Sequence, residues 1–148
     1  MRSGVTTYND LLGSGVSDWG GVLAHRSDAA TIDAVSARFV EAGVPVELVA
    51  DTLRDGGAAL HRAATSGRSD WMVPFGGLLA VALLAGEVAA YSSHLVARAS
   101  AVRSVAVDSL LEDFSAVSVA AELGVSRQKV YEIARGGARL RDARANRP

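Results

Sequence analysis

Between Ala29 and Ala42 the apolar residues Ile32, Val35, Phe39 and Val40 recur at i, i+3, i+7 and i+8. That is the period of an amphipathic helix, and Asp28 stands where its N-cap belongs. Gly43 is placed to end this helix and Pro45 to open the next, whose Val46, Val49 and Leu53 carry the inward stripe on to Asp55-Gly56-Gly57. Leu60, His61 and Ala64 predict a further short helix. Upstream, Asp18 can cap a turn of helix holding Trp19, Val22 and Leu23, with Trp19 a packing residue rather than a ligand-stacking one. Residues 1–17, broken by Gly4, Gly13 and Gly15 around Tyr8, Leu11 and Leu12, read as a loose N-terminal segment.

The sharpest apolar feature is WMVPFGGLLAVALLAG, sixteen uncharged residues between Asp70 and Glu87. A membrane span needs about 20 apolar residues, and this run is shorter and interrupted by Pro74 and three Gly, so no membrane insertion is expected. A buried central helix, or one hidden in a subunit interface, accounts for it better. Beyond Gly77 no breaker interrupts a helix from about Leu78 to Leu111. Along it Val81, Leu84, Val88, Tyr91 and Leu95, then Val102 and Val105, keep a 3,4 spacing that Arg98 alone breaks. Such a seam packs either on the N-terminal helices of its own chain or on its copy in a homodimer. Leu110, Leu111 and Phe114 would supply a third helix to support the residues beyond Ser115.

Residues 116–135, AVSVAAELGVSRQKVYEIAR, predict two short helices meeting at a tight corner. Val119, Ala120 and Leu123 form one apolar stripe, Gly124 tolerates positive φ at the corner, Val125 is apolar in the turn, and Ser126 is a good N-cap. Val130 and Ile133 then restore an inward face. The stretch resembles the helix-turn-helix of prokaryotic repressors and recombinase DNA-binding domains, with Ala120, Gly124, Val125, Val130 and Ile133 at its framework positions. The resemblance implies a second helix lying in the major groove of double-stranded DNA. By it, Arg127, Gln128, Tyr131 and Glu132 would read bases, while Ser126, Lys129, Arg135, Arg139 and Arg141 would meet phosphates. The alternative is a helical hairpin whose polar face is merely solvated. AGVPVELVADTLR, from Ala42 to Arg54, can be laid on the same pattern, but Phe39 replaces the small Ala120 and the outward Glu47, Ala50 and Asp51 would repel phosphate. A core corner explains those residues.

With 49% hydrophobic and 21% charged residues the chain is a folded protein, and its abundance of Ala, Leu, Val and Arg points to an all-α fold. Net charge is −1, yet from Ser126 to Pro148 there are seven basic residues against Glu132 and Asp142, leaving an acidic body with a basic end. A local positive patch is what attracts phosphate. The absence of Cys excludes disulfides and thiolate metal sites, and His25, His61 and His94 lack metal spacing. No nucleophile sits beside a base, and Gly56-Gly57 and Gly76-Gly77 lack the Lys and Ser or Thr of a phosphate loop. No enzyme activity, cofactor or metal is expected. Glu87 is the one carboxylate expected to be poorly solvated, paired with a basic side chain or binding a ligand. With no secretory signal in its N-terminal residues, the expected protein is a cytoplasmic, repressor-like regulator. Its organisation would be a helical body over 18–108, a seat for dimerisation or for a partner protein or small-molecule effector; a DNA-binding module over 109–136; and, after the Gly136-Gly137 stop, a flexible basic arm over 137–148. The competing reading is a non-enzymatic interaction module in which the helix-turn-helix is only a scaffold.

Overall fold

The computed structural model describes residues 18–146 and is all-helical. Residues 1–17 and 147–148, and with them the expected loose N-terminal segment, lie outside the described part. The helices are α1 (Trp19–Val22), α2 (Ala29–Glu41), α3 (Val46–Arg54), α4 (Ala58–Ala64), α5 (Leu78–Asp113), α6 (Ala116–Leu123) and α7 (Arg127–Ala145), with a 3-10 turn at Val73–Phe75. Contacts divide the chain into two compact units that meet between Ser92 and Ser93, inside α5. The last turns of the long helix pack with α6 and α7, through Val107 and Leu111.

In the first unit, Leu23, Val35, Phe39, Val44, Val49, Leu53, Leu60, Ala80 and Leu84 form the core. Trp19 stacks on Phe39 with centroids 5.7 Å apart, a packing role as its sequence position suggests. Asp28 caps α2 by accepting from the Thr31 N–H at 2.7 Å, which holds its carboxyl below the usual carboxylate range. Val81, Leu84, Val88 and Tyr91, four of the five residues of the expected dimer seam, pack into or against this core. Further along the same seam Leu95, Val102 and Val105 keep exposed side chains.

The sixteen-residue apolar run is not one buried helix. Its first seven residues form the turn around Pro74, and α5 begins at Leu78 with that side chain and Leu79 exposed. By length and composition α5 could cross a membrane, and only 17% of its most apolar stretch is buried. Glu87, in contrast, is 3% exposed and fully paired: His25 Nε2 lies 2.6 Å from Oε1, and Arg26 donates from Nε to Oε1 at 3.0 Å and from Nη2 to Oε2 at 2.7 Å. The bond to Glu87 holds the Arg26 guanidinium above its ordinary pKa. Of the two expected roles of Glu87, the pairing is the one observed.

Candidate nucleic-acid interface

The second unit is built around a corner. Ser115 caps α6 by accepting from the Ser118 N–H at 3.1 Å, and Ala116, Val119 and Ala120 are buried. Gly124 follows at φ 67°, a conformation open to glycine, and lets the Val125 N–H reach back to the Ala120 carbonyl at 3.1 Å. Ser126 is extended and its Oγ accepts from the Lys129 N–H at 3.1 Å, so α7 leaves the corner in a fixed direction. Val130, Ile133 and Ala134 complete a small core with Val107 of α5.

Burying that side of α7 turns the other outward. Arg127, Gln128, Lys129, Tyr131, Glu132 and Arg135 are all exposed. Gln128, Tyr131 and Arg135 share a shallow hollow with Ala134, Ala138 and Asp108, so three expected DNA-contacting residues converge on one surface. Lys129 lies 3.7 Å from Glu132, an exposed i, i+3 pair that a phosphate can compete with. Ser126 spends an acceptor lone pair on the cap and keeps its O–H as a donor.

Beyond Arg135 the structure departs from expectation. The Gly136-Gly137 pair does not stop α7, which continues to Ala145, so the expected flexible arm is helical over its described residues. The reason is a crossing with α5. A Cβ on Gly137 would stand 2.2 Å from the Ser104 carbonyl oxygen, and one on Gly136 3.0 Å from the Ser104 Oγ. Glycine here supplies absence of bulk, not positive φ. About one turn on, Arg141 binds Asp108 through Nε at 2.7 Å and through Nη2, and Glu112 through Nη1 at 3.0 Å. These carboxylates raise its pKa. Arg141, expected to meet phosphate, thus clasps α7 to α5 through these two carboxylates, whereas Arg139 is exposed. Sequence reasoning missed Ser104, Asp108, Glu112 and the Ser115 cap. The acidic i, i+4 pair at 108 and 112 was the available signal.

The first unit contains the same corner. Gly43 has φ 73°, the Val44 N–H reaches the Phe39 carbonyl at 2.9 Å, and Pro45 caps α3 at φ −70° and ψ 151°, against −72° and 156° for Ser126. The alignment of Ala42–Arg54 on Leu123–Arg135 is thus an alignment of backbones. Their surfaces differ: Phe39 is buried where Ala120 stands, Ala50 is buried rather than outward, and Glu47 and Asp51 make the exposed face acidic. Among the described residues no cluster of His, Asp or Glu could hold a metal ion. Comparison with protein-family models, curated proteins and solved structures finds no match to this chain.

Proposed function

We propose that the chain is a cytoplasmic regulator that binds double-stranded DNA sequence-specifically, laying α7 in the major groove. The observation that carries this is the exposed row of Arg127, Gln128, Tyr131 and Glu132 on a helix braced from behind by Val130, Ile133 and Ala134. Arg matches the acceptor edge of guanine, Gln the mixed edge of adenine, and Glu the amino group of cytosine. Rigid backing matters because base readout needs side chains held in register, and the buried side of α7 supplies it. Ser126, Lys129, Arg135 and Arg139 would flank the groove and fix its register on phosphates.

Selection of bound duplexes from a random pool, followed by fluorescence-anisotropy titration, tests the assignment. Gln128→Ala is expected to weaken binding to the selected site by about 1–3 kcal/mol while random DNA is bound as before. Equal losses on both would remove Gln128 from base reading. The second reading, an interaction module with the corner as scaffold, draws on the apolar side chains left exposed on α5 and α6. No binding to any duplex at low salt, where phosphate attraction is strongest, would favour it.

A further inference from the structure

Glycine inside a helix weakens it relative to alanine, so an interior glycine with ordinary helical geometry calls for a reason. Gly137 has one in its crossing with Ser104. Gly86, inside α5, has no such neighbour: its φ is not positive, and a Cβ built on it would meet no atom within 4 Å. The space it leaves is part of a cleft of about 210 Å³ between α2 and α5. Val35, Phe39 and Leu83 give this cleft an apolar lining, and Arg26 and Arg38 border it as cations. Helical spacing gathers them, with Val35, Arg38 and Phe39 at i, i+3 and i+4 on α2 and Leu83 and Gly86 at i and i+3 on α5. All of these residues belong to the first unit.

We propose that this cleft binds a small monocarboxylate, its carboxylate on the two guanidinium groups and its apolar body over Phe39 and Gly86. Arg26 is fixed in advance: Nε and Nη2 donate to Glu87, and Nη1 is left without an acceptor among the described residues. A guanidinium already held in place loses less freedom when an anion binds. Arg38 is exposed and makes no ion pair among the described residues, so its charge is available too. Glu87 also borders the cleft, but Arg26 and His25 occupy its oxygens. Two guanidinium groups against one carboxylate leave one positive charge in excess, which a monoanion cancels. The planar fork of a guanidinium matches a carboxylate in two parallel hydrogen bonds. Inorganic phosphate shares the anionic chemistry but would leave the apolar lining bare. The volume lies below the roughly 300 Å³ at which drug-sized sites begin, so the body of the acid is a short chain or one ring.

Titration of the full chain without DNA tests the proposal separately from the reading of α7. Trp19 stacks on Phe39, which lines the cleft, so in a Trp71→Phe background its fluorescence reports occupancy. Hexanoate, a chain, and cyclohexanecarboxylate, a ring, are the probes. At least one is expected to give a saturable change with a Kd below about 1 mM. Hexanol, which lacks the charge, and inorganic phosphate, which lacks the apolar body, should each bind at least about tenfold more weakly than that acid. Arg38→Gln, at an exposed site, should weaken the acid at least about tenfold with an unchanged thermal melt. Gly86→Ala should raise the melting temperature, because the added Cβ meets no atom and helix propensity improves. Gly86→Leu should stay folded, fill the cleft and abolish the fluorescence change. No saturation by either acid up to about 10 mM overturns the proposal, as does binding indifferent to Arg38→Gln or to a folded Gly86→Leu. Hexanol binding as tightly as hexanoate, or phosphate binding more tightly than both acids, overturns it by removing the carboxylate or the apolar body from the recognition.

Discussion

Gly137 is the residue at which a side chain matters most by being absent. Its Cβ position lies within 2.2 Å of a backbone carbonyl, which cannot rotate away as a side chain can. Gly137→Ala is therefore expected to force α7 off α5 and destabilise the fold by at least about 2 kcal/mol in urea unfolding. The neighbouring substitution separates this from a helix-propensity effect. Gly136→Ala meets the Ser104 hydroxyl at 3.0 Å, which can turn, and the Ser104 Cβ at 3.4 Å, an ordinary contact, and gains back helix propensity, so it should stay within about 1 kcal/mol of the parent. Glu87 poses the opposite case, a buried group whose partners depend on it. Removing it by Glu87→Ala leaves His25 and Arg26 facing each other without their shared carboxylate. The expected loss is about 3 kcal/mol, at the lower end for a buried ion pair because Arg26 keeps some contact with water. Equal midpoints for Glu87→Ala and the parent would show the pair to be dispensable.

The elements differ in how far local sequence determines them. The caps at Asp28 and Ser126 and the glycine corners at Gly43 and Gly124 depend on neighbours within five residues, so pattern alone locates them. The crossing of α5 with α7 and the full length of α7 depend on partners about thirty residues away: Ser104 for Gly137, and Asp108 and Glu112 for Arg141. A glycine pair serves equally to end a helix or to admit another helix, and nothing local separates the uses. The candidate site divides the same way, with the outward row from Arg127 to Glu132 legible from the corner and the commitment of Arg141 not. The consequence for α7 is measurable. Arg139→Ala is expected to weaken binding to all DNA and flatten its salt dependence by about one charge. Arg141→Ala should leave that slope unchanged and show itself in the thermal melt instead. A drop in the slope for Arg141→Ala matching that for Arg139→Ala would mean that the guanidinium leaves its carboxylates for phosphate.

For the molecule as a whole, total and local charge pull apart. From Ser126 to Pro148 basic residues exceed acidic ones by five, which taken at face value predicts a steep salt dependence of DNA binding. The structure lowers the count. Arg141 is held by two carboxylates, Arg127 belongs to the base-reading row, and Arg144 lies in the last turn of α7, far from the corner that would enter the groove. Arg147 lies outside the described residues, and of the others Lys129, Arg135 and Arg139 remain as cations placed to displace counterions. Neutralising that many phosphates gives a slope of log K against log salt of about −3 per bound chain, and about −5 for two chains on one site. The acidic remainder of the chain adds repulsion but releases no counterions from the duplex, so it shifts the affinity without steepening the slope. Anisotropy titrations between low and physiological salt separate these terms. A slope near −6 for a single bound chain would mean that the C-terminal turns of α7, with Arg141 freed, lie against the backbone. A slope near zero would leave no place for phosphate contacts and would count against the DNA assignment itself.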